Sequence, residues 1–124
     1  MFTLVKRSLG DVPAFEWYTP AQAVGETALG KALSVAKEAA LCGAAQRPYG
    51  IGMGKPRQDG RIPVCQVLPD MEWETRSAAA VTAAQIGQTV TLNAAADGVT
   101  ATTTGGVFTI THADGTDVVR GRFL

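Results

Sequence analysis

From Gly87 onward, threonine alternates with Val, Leu and Ile in short runs: QTVTL (88–92), VTATT (99–103), VFTIT (107–111) and a last stretch over 116–123. Alternation at period two gives a strand one wet face and one dry face. Between the runs lie Asp97-Gly98, Gly105-Gly106 and Asp114-Gly115, which supply the positive φ values of two-residue hairpin turns. The pattern predicts a β-meander. It is poor in ionisable groups and therefore suits packing and assembly better than chemistry.

Upstream, the clearest strand is 61–68, where Ile62, Val64 and Leu68 point one way and Cys65 and Val67 the other. Both faces are mostly apolar, the mark of a central strand. Residues 71–76 alternate Met71, Trp73 and Thr75 with Glu72, Glu74 and Arg76, which predicts a half-exposed strand. In 49–53 the larger Tyr49, Ile51 and Met53 share one side and Gly50 and Gly52 the other, as in a strand that a second backbone approaches closely. Residues 27–45 carry strong helix formers at near-helical spacing. The same stretch also reads as a hairpin with sides 33–35 and 39–42, turning at Lys37-Glu38, although local propensity alone favours the helix. The Ala-rich 77–86 is a loop or a short helical turn.

Residues 1–20 hold Phe2, Leu4, Val5, Leu9, Phe15, Trp17 and Tyr18, interrupted by Gly10, Pro13 and Pro20. No helical period survives, and the prolines limit ladder pairing. Two readings stand: an edge strand plus a packed loop, or an extended arm laid on a partner. The arm is adopted, spanning 1–22, with 23–124 as a single β domain and those seven apolar residues as its contacts.

Composition narrows the function classes. Eleven basic and eleven acidic side chains cancel, so no global field favours nucleic acid or acidic membranes. No run approaches the ~20 apolar residues of a membrane helix, and Lys6 and Arg7 follow the first apolar residues, unlike a signal peptide. Cys42 and Cys65 match no zinc spacing and read as small buried residues of a protein made in a reducing cytosol.

Candidate chemistry is sparse. Gly50-x-Gly52-x-Gly54 lacks the G-x-G-x-x-G spacing, and Pro56 follows where a phosphate-binding helix would begin. His112, the one histidine, has no nucleophile or ligand set beside it in sequence and reads as a solvated strand-end residue. Glu72 and Glu74 share a strand face with Arg76 and read as surface charges, although paired carboxylates can serve as acid and base. Arg47, Lys55, Arg57 and Arg61 form a basic, turn-rich patch. The expectation is a protein that is no enzyme and needs no cofactor or metal.

Three stretches carry a family resemblance. Gly25-Glu-Thr-Ala-Leu29, then Arg47-Pro-Tyr-Gly-Ile-Gly-Met53, then Ile62-Pro-Val-Cys-Gln-Val-Leu68 resemble small capsid decoration proteins of tailed bacteriophages, and 86–123 is similar to phage head-decoration and head-fibre proteins. The resemblance implies an all-β fold, a compact β-barrel or β-tulip-like domain with an extended N-terminal arm, and for 27–45 it implies the hairpin and not the helix. It implies a virion protein made in the bacterial host cytoplasm, assembled as a homotrimer on the capsid surface against the major capsid protein. The alternative is a β-sandwich adhesin or carbohydrate-binding module using Trp17, Tyr18, Tyr49 and Trp73.

Overall fold

Alternation is realised as two five-stranded antiparallel sheets in the computed structural model, which describes residues 1–7, 15–22 and 24–124. The first sheet runs β1 (Thr3–Arg7), β7 (Met71–Arg76), β10 (Val118–Phe123), β9 (Phe108–Ala113) and β8 (Thr89–Val90). The second runs β2 (Phe15–Tyr18), β6 (Ile62–Gln66), β5 (Gly50–Gly52), β3 (Ala32–Val35) and β4 (Ala39–Leu41). Among the described residues there is no α-helix, and two 3₁₀ turns occur at Gly25–Thr27 and Ala83–Gln85. The second begins with Thr82 and Gln85 satisfying each other's backbone N–H groups, so 77–86 is a loop with a short helical turn.

In the first sheet every second residue of β7 and β10 is driven inward. Met71, Trp73, Thr75, Val119, Gly121 and Phe123 are buried. The rings of Phe2 and Phe108 lie 5.1 Å from that of Phe123, and Trp73 lies 6.4 Å from it, all tilted or edge-on. Such ring pairs are the preferred aromatic geometry. Gly121 makes room for them, since a Cβ there would stand 2.7 Å from Phe108 Cζ.

The second sheet buries both faces. Cys65, Ile51 and Ala32 join the main core against the first sheet. Ile62, Val64, Leu33 and Ala39 pack with Val24 and Ala28 in a separate apolar cluster. The sheet curls around that cluster. The chain leaving β2 bridges to the far-edge strand β4, where Ala39 N–H donates to Thr19 O (2.9 Å) and Ala21 N–H to Ala39 O (2.8 Å).

The all-β expectation therefore holds, and the architecture is a sandwich of two sheets, not a closed barrel. The layers separate because β9 and β10 pair with β7 and leave the second sheet to 15–66. Residues 27–45 form the hairpin, with Leu33 opposite Leu41 and Val35 opposite Ala39. Their helix propensity is outweighed by burial of both faces of β3. The strand 62–66 is central, as its two apolar faces require, and Gly50 and Gly52 lie under close backbone approach. A Cβ on Gly50 would meet Cys65 O at 2.7 Å.

Three details differ from the sequence expectations. Residues 99–103 are no strand; Val99 makes only isolated bridges to Leu92 and Ser77. The turn before them places Ala96, not Asp97-Gly98, at positive φ (56°), while Gly98 is buried with Arg76 O 2.6 Å from where a Cβ would stand. At Gly105 and Gly115 the positive φ expected of hairpin turns is present.

The third difference concerns the arm. Thr3–Arg7 pairs with β7, with Leu4 opposite Trp73, and Phe2 is 3 % exposed in the main core. Phe15–Tyr18 is equally part of the second sheet. Within 1–22 the described residues thus follow the edge-strand alternative, because apolar residues beside β7 and β6 gain more from completing those sheets than from remaining in water. Leu9, Gly10 and Pro13 lie outside the described residues.

Candidate functional site

An open sheet offers its unpaired backbone groups to another chain unless the edge is guarded. Three of the four edges here are guarded or short. β1 has a register shift between Leu4 and Lys6 and a cationic Lys6 beside it. β8 is two residues long. β4 is engaged at Ala39 by the segment that follows β2. The remaining edge is β2, and among the described residues nothing pairs with its outer side.

That edge is aromatic. The register puts Phe15 opposite Cys65 and Trp17 opposite Pro63, so both side chains share the face of Cys65. They nevertheless remain 51 % and 39 % exposed. The Arg57 guanidinium sits 4.3 Å from the Trp17 ring centroid, a cation–π distance. Arg57 comes from the loop between β5 and β6. Met53 N–H donates to Pro63 O and Arg57 N–H to Arg61 O, each at 2.9 Å, and this ladder brings the loop alongside the end of β2. Asp59 braces it by accepting from Arg57 Nε (2.9 Å) and Arg61 N–H (3.0 Å). These bonds, the one from Arg57 first, hold the Asp59 carboxyl below the usual range.

The opposite face of β2 carries Glu16 and Tyr18. Tyr49 Oη donates to Glu16 Oε1 at 2.7 Å and Tyr18 Oη to Oε2 at 2.9 Å. The two rings meet edge-on with centroids 5.9 Å apart. With both carboxylate oxygens engaged, Glu16 is held below the ordinary carboxylate pKa, chiefly by Tyr49 and then by Tyr18. The same bond pushes the Tyr49 hydroxyl up. Glu16 and Tyr18 are visible in sequence as a period-two pair, but Tyr49 lies far along the chain. Nothing local signals that the three meet.

The seven apolar residues expected as contacts divide. Phe15 and Trp17 are exposed side by side on β2, and Tyr18 is half-buried with its hydroxyl on Glu16. Phe2 is a core residue, Leu4 packs against the core, and Val5 is exposed on β1. Leu9 lies outside the described residues. Of the proposed sugar-contacting aromatics, Trp73 is fully buried.

The other candidate groups are dispersed. His112 is exposed on β9 opposite Arg120. Glu72 is buried, not a surface charge: β7 is flanked by β1 and β10, and its carboxylate accepts from Thr111 Oγ1 at 3.1 Å. Glu74 pairs with Arg120 at 3.2 Å. A recess of about 200 Å³ is lined by Met1, Thr3, Glu74, Thr75, Arg76 and Val118. Its charged groups already have partners, Arg76 being held by Asp117 at 2.9 Å. Cys42 and Cys65 are both buried, and burial pushes the Cys42 thiol up to about 11.

Compared with known proteins, the chain matches no family model, no curated protein and no solved structure.

Proposed function

We propose that this chain is a structural protein of a tailed-bacteriophage virion, a decoration protein that binds the outer surface of the major capsid protein shell and stabilises the head. The observation that carries the reading is the edge of β2, which among the described residues no other strand pairs over Phe15–Tyr18, with Phe15 and Trp17 exposed on it. A strand added to such an edge gains backbone hydrogen bonds, and the two aromatic side chains supply apolar area at the contact. The sequence resemblance supports the same reading. Assembly as a trimer on the shell would let contacts of modest strength act together. The contact surface proposed is the β2 edge, a part of the 1–22 segment, and not the whole of it.

The test is whether the neighbouring genes encode a major capsid protein and whether this protein co-sediments with heads assembled from it. The wild-type protein is expected to saturate the heads and raise their resistance to heat. The double substitution Phe15→Ser, Trp17→Ser is expected to fold and to stay in the supernatant. Absence of wild-type binding would overturn the reading.

The exposed Trp17 ring favours the second reading, a carbohydrate-binding or adhesin module, because a tryptophan face can stack on a sugar ring. Without Trp73, its contacts reduce to Trp17, Tyr18 and Tyr49. Glycan binding lost in Trp17→Ala, with no binding to heads, would establish it.

A further inference from the structure

The surface beside β2 is uneven in charge, although the whole chain is neutral. Lys55, Arg57 and Arg61 are exposed on the β5–β6 loop, against one carboxylate there, Asp59. The loop is held next to β2 by its own ladder, and Arg57 is fixed on the Trp17 ring. Glu16, the acidic residue of the strand, projects to the other face, where two tyrosine hydroxyls engage it. Among the described residues, an incoming chain at Phe15–Tyr18 therefore meets a strand edge that no other strand of the two sheets pairs, two exposed aromatic side chains and, at the loop, three cationic groups against one carboxylate.

We infer that the edge of β2 takes an extended, acidic polypeptide segment of a protein partner, its apolar side chains on Phe15 and Trp17 and its carboxylates against Lys55, Arg57 and Arg61. The inference rests on the reading of β2 as the contact edge and adds the chemistry of what docks there. Side chains on one face of a strand recur every second residue, so the segment would set apolar side chains on Phe15 and Trp17 and carry its carboxylates where it runs past them, beside the β5–β6 loop, and not on the opposite face, where Glu16 lies. Carboxylates bound by guanidinium groups form the stronger, charge-assisted hydrogen bonds, and Arg57 and Arg61 present such groups. Opposite charges across a contact chiefly set partner choice and approach rate.

Trp17 reports binding directly, because the second tryptophan, Trp73, is fully buried. The probes are three blocked synthetic peptides of one length, a core alternating valine with serine flanked on both sides by glutamates, by lysines or by threonines, titrated against the intact protein while Trp17 fluorescence is followed. The glutamate peptide is expected to bind about tenfold more tightly than the threonine peptide, and the lysine peptide not at all. Added salt should erase most of that preference. The paired change Lys55→Glu, Arg61→Glu leaves the Arg57–Trp17 stack in place and should invert the order, so that the lysine peptide binds best.

Equal binding of the three peptides would overturn the acidic preference while leaving β2 as a contact edge. Binding by none of them, together with normal attachment of Phe15→Ser, Trp17→Ser to heads, would overturn both readings. Quenching of Trp17 by a neutral oligosaccharide but by no peptide, or self-association of the chain through this edge, would overturn the inference in favour of a sugar or a second copy.

Discussion

Substituting Phe2 by alanine tests whether the first strand belongs to the cooperative core. Its ring is 3 % exposed and lies 5.8 Å from Phe108 and 5.1 Å from Phe123. Removing it forfeits about 2–3 kcal/mol of transfer free energy. Loss of the two ring contacts adds roughly 1 kcal/mol, and a cavity under β1 adds to that. Because β1 is an edge strand that can partly close the gap, the expected total is about 3–4 kcal/mol, the low end for phenylalanine truncation. In urea, with a slope of about 1.5 kcal/mol per molar, the unfolding midpoint should fall by roughly 2–2.7 M with the slope unchanged. Val5→Ala, at an exposed position of the same strand, should move it by less than about 0.5 kcal/mol. A loss below ~1 kcal/mol for Phe2→Ala would refute the reasoning, since β1 would then be a dispensable arm.

Gly52→Ala should destabilise the fold by more than ~2 kcal/mol, because the new Cβ collides with the backbone carbonyl of Ala28; Gly43→Ala, with open space at the same atom, should be nearly neutral in the same thermal melts. Tyr49→Phe removes the main cause of the low Glu16 pKa, so NMR should show that carboxyl titrating closer to its ordinary value of 4.5. The depressed folded-state pKa means that the bonded carboxylate contributes stability above the ordinary value and loses it as pH falls through the folded one. The difference between wild type and Tyr49→Phe should therefore shrink on acidification below pH 4.5, and a difference that grew instead would contradict the bond.

The legible parts of the fold were those where a strand's own two faces carry the signal. Ile62 and Val64 against Cys65 announced a central strand, and Gly50 and Gly52 announced a close approach. Leu33 and Ala39 were ambiguous because the forces that select the hairpin come from both sides of the sheet, through contacts distant in sequence. Glu72 looked like a surface charge since its burial is decided by β1 and β10, which flank it from opposite ends of the chain. The run 99–103 alternates as a strand should, yet Gly98 and Ala96 direct it around a tight turn instead. At the candidate site, Phe15 and Trp17 were visible as apolar residues. Their exposure was not, because it depends on where the sandwich ends, and Arg57 reaches Trp17 only through the register of a distant hairpin.

The two sheets also differ in how the chain supplies them. The second draws all its strands from 15–66, whereas the first joins β1 to strands that begin at Met71 and finish with Phe123. During synthesis the second sheet can therefore form as soon as its own residues have emerged. Leu4 must wait for Trp73, and Phe2 for Phe108 and Phe123, much further along the chain. Closing a contact over so much chain is slow. In that interval β1 is an apolar strand without its sheet partner, the kind of surface that chaperones engage. Pairing of β1 with β7 accordingly carries the longest loop closure in either sheet, which should slow folding of the domain.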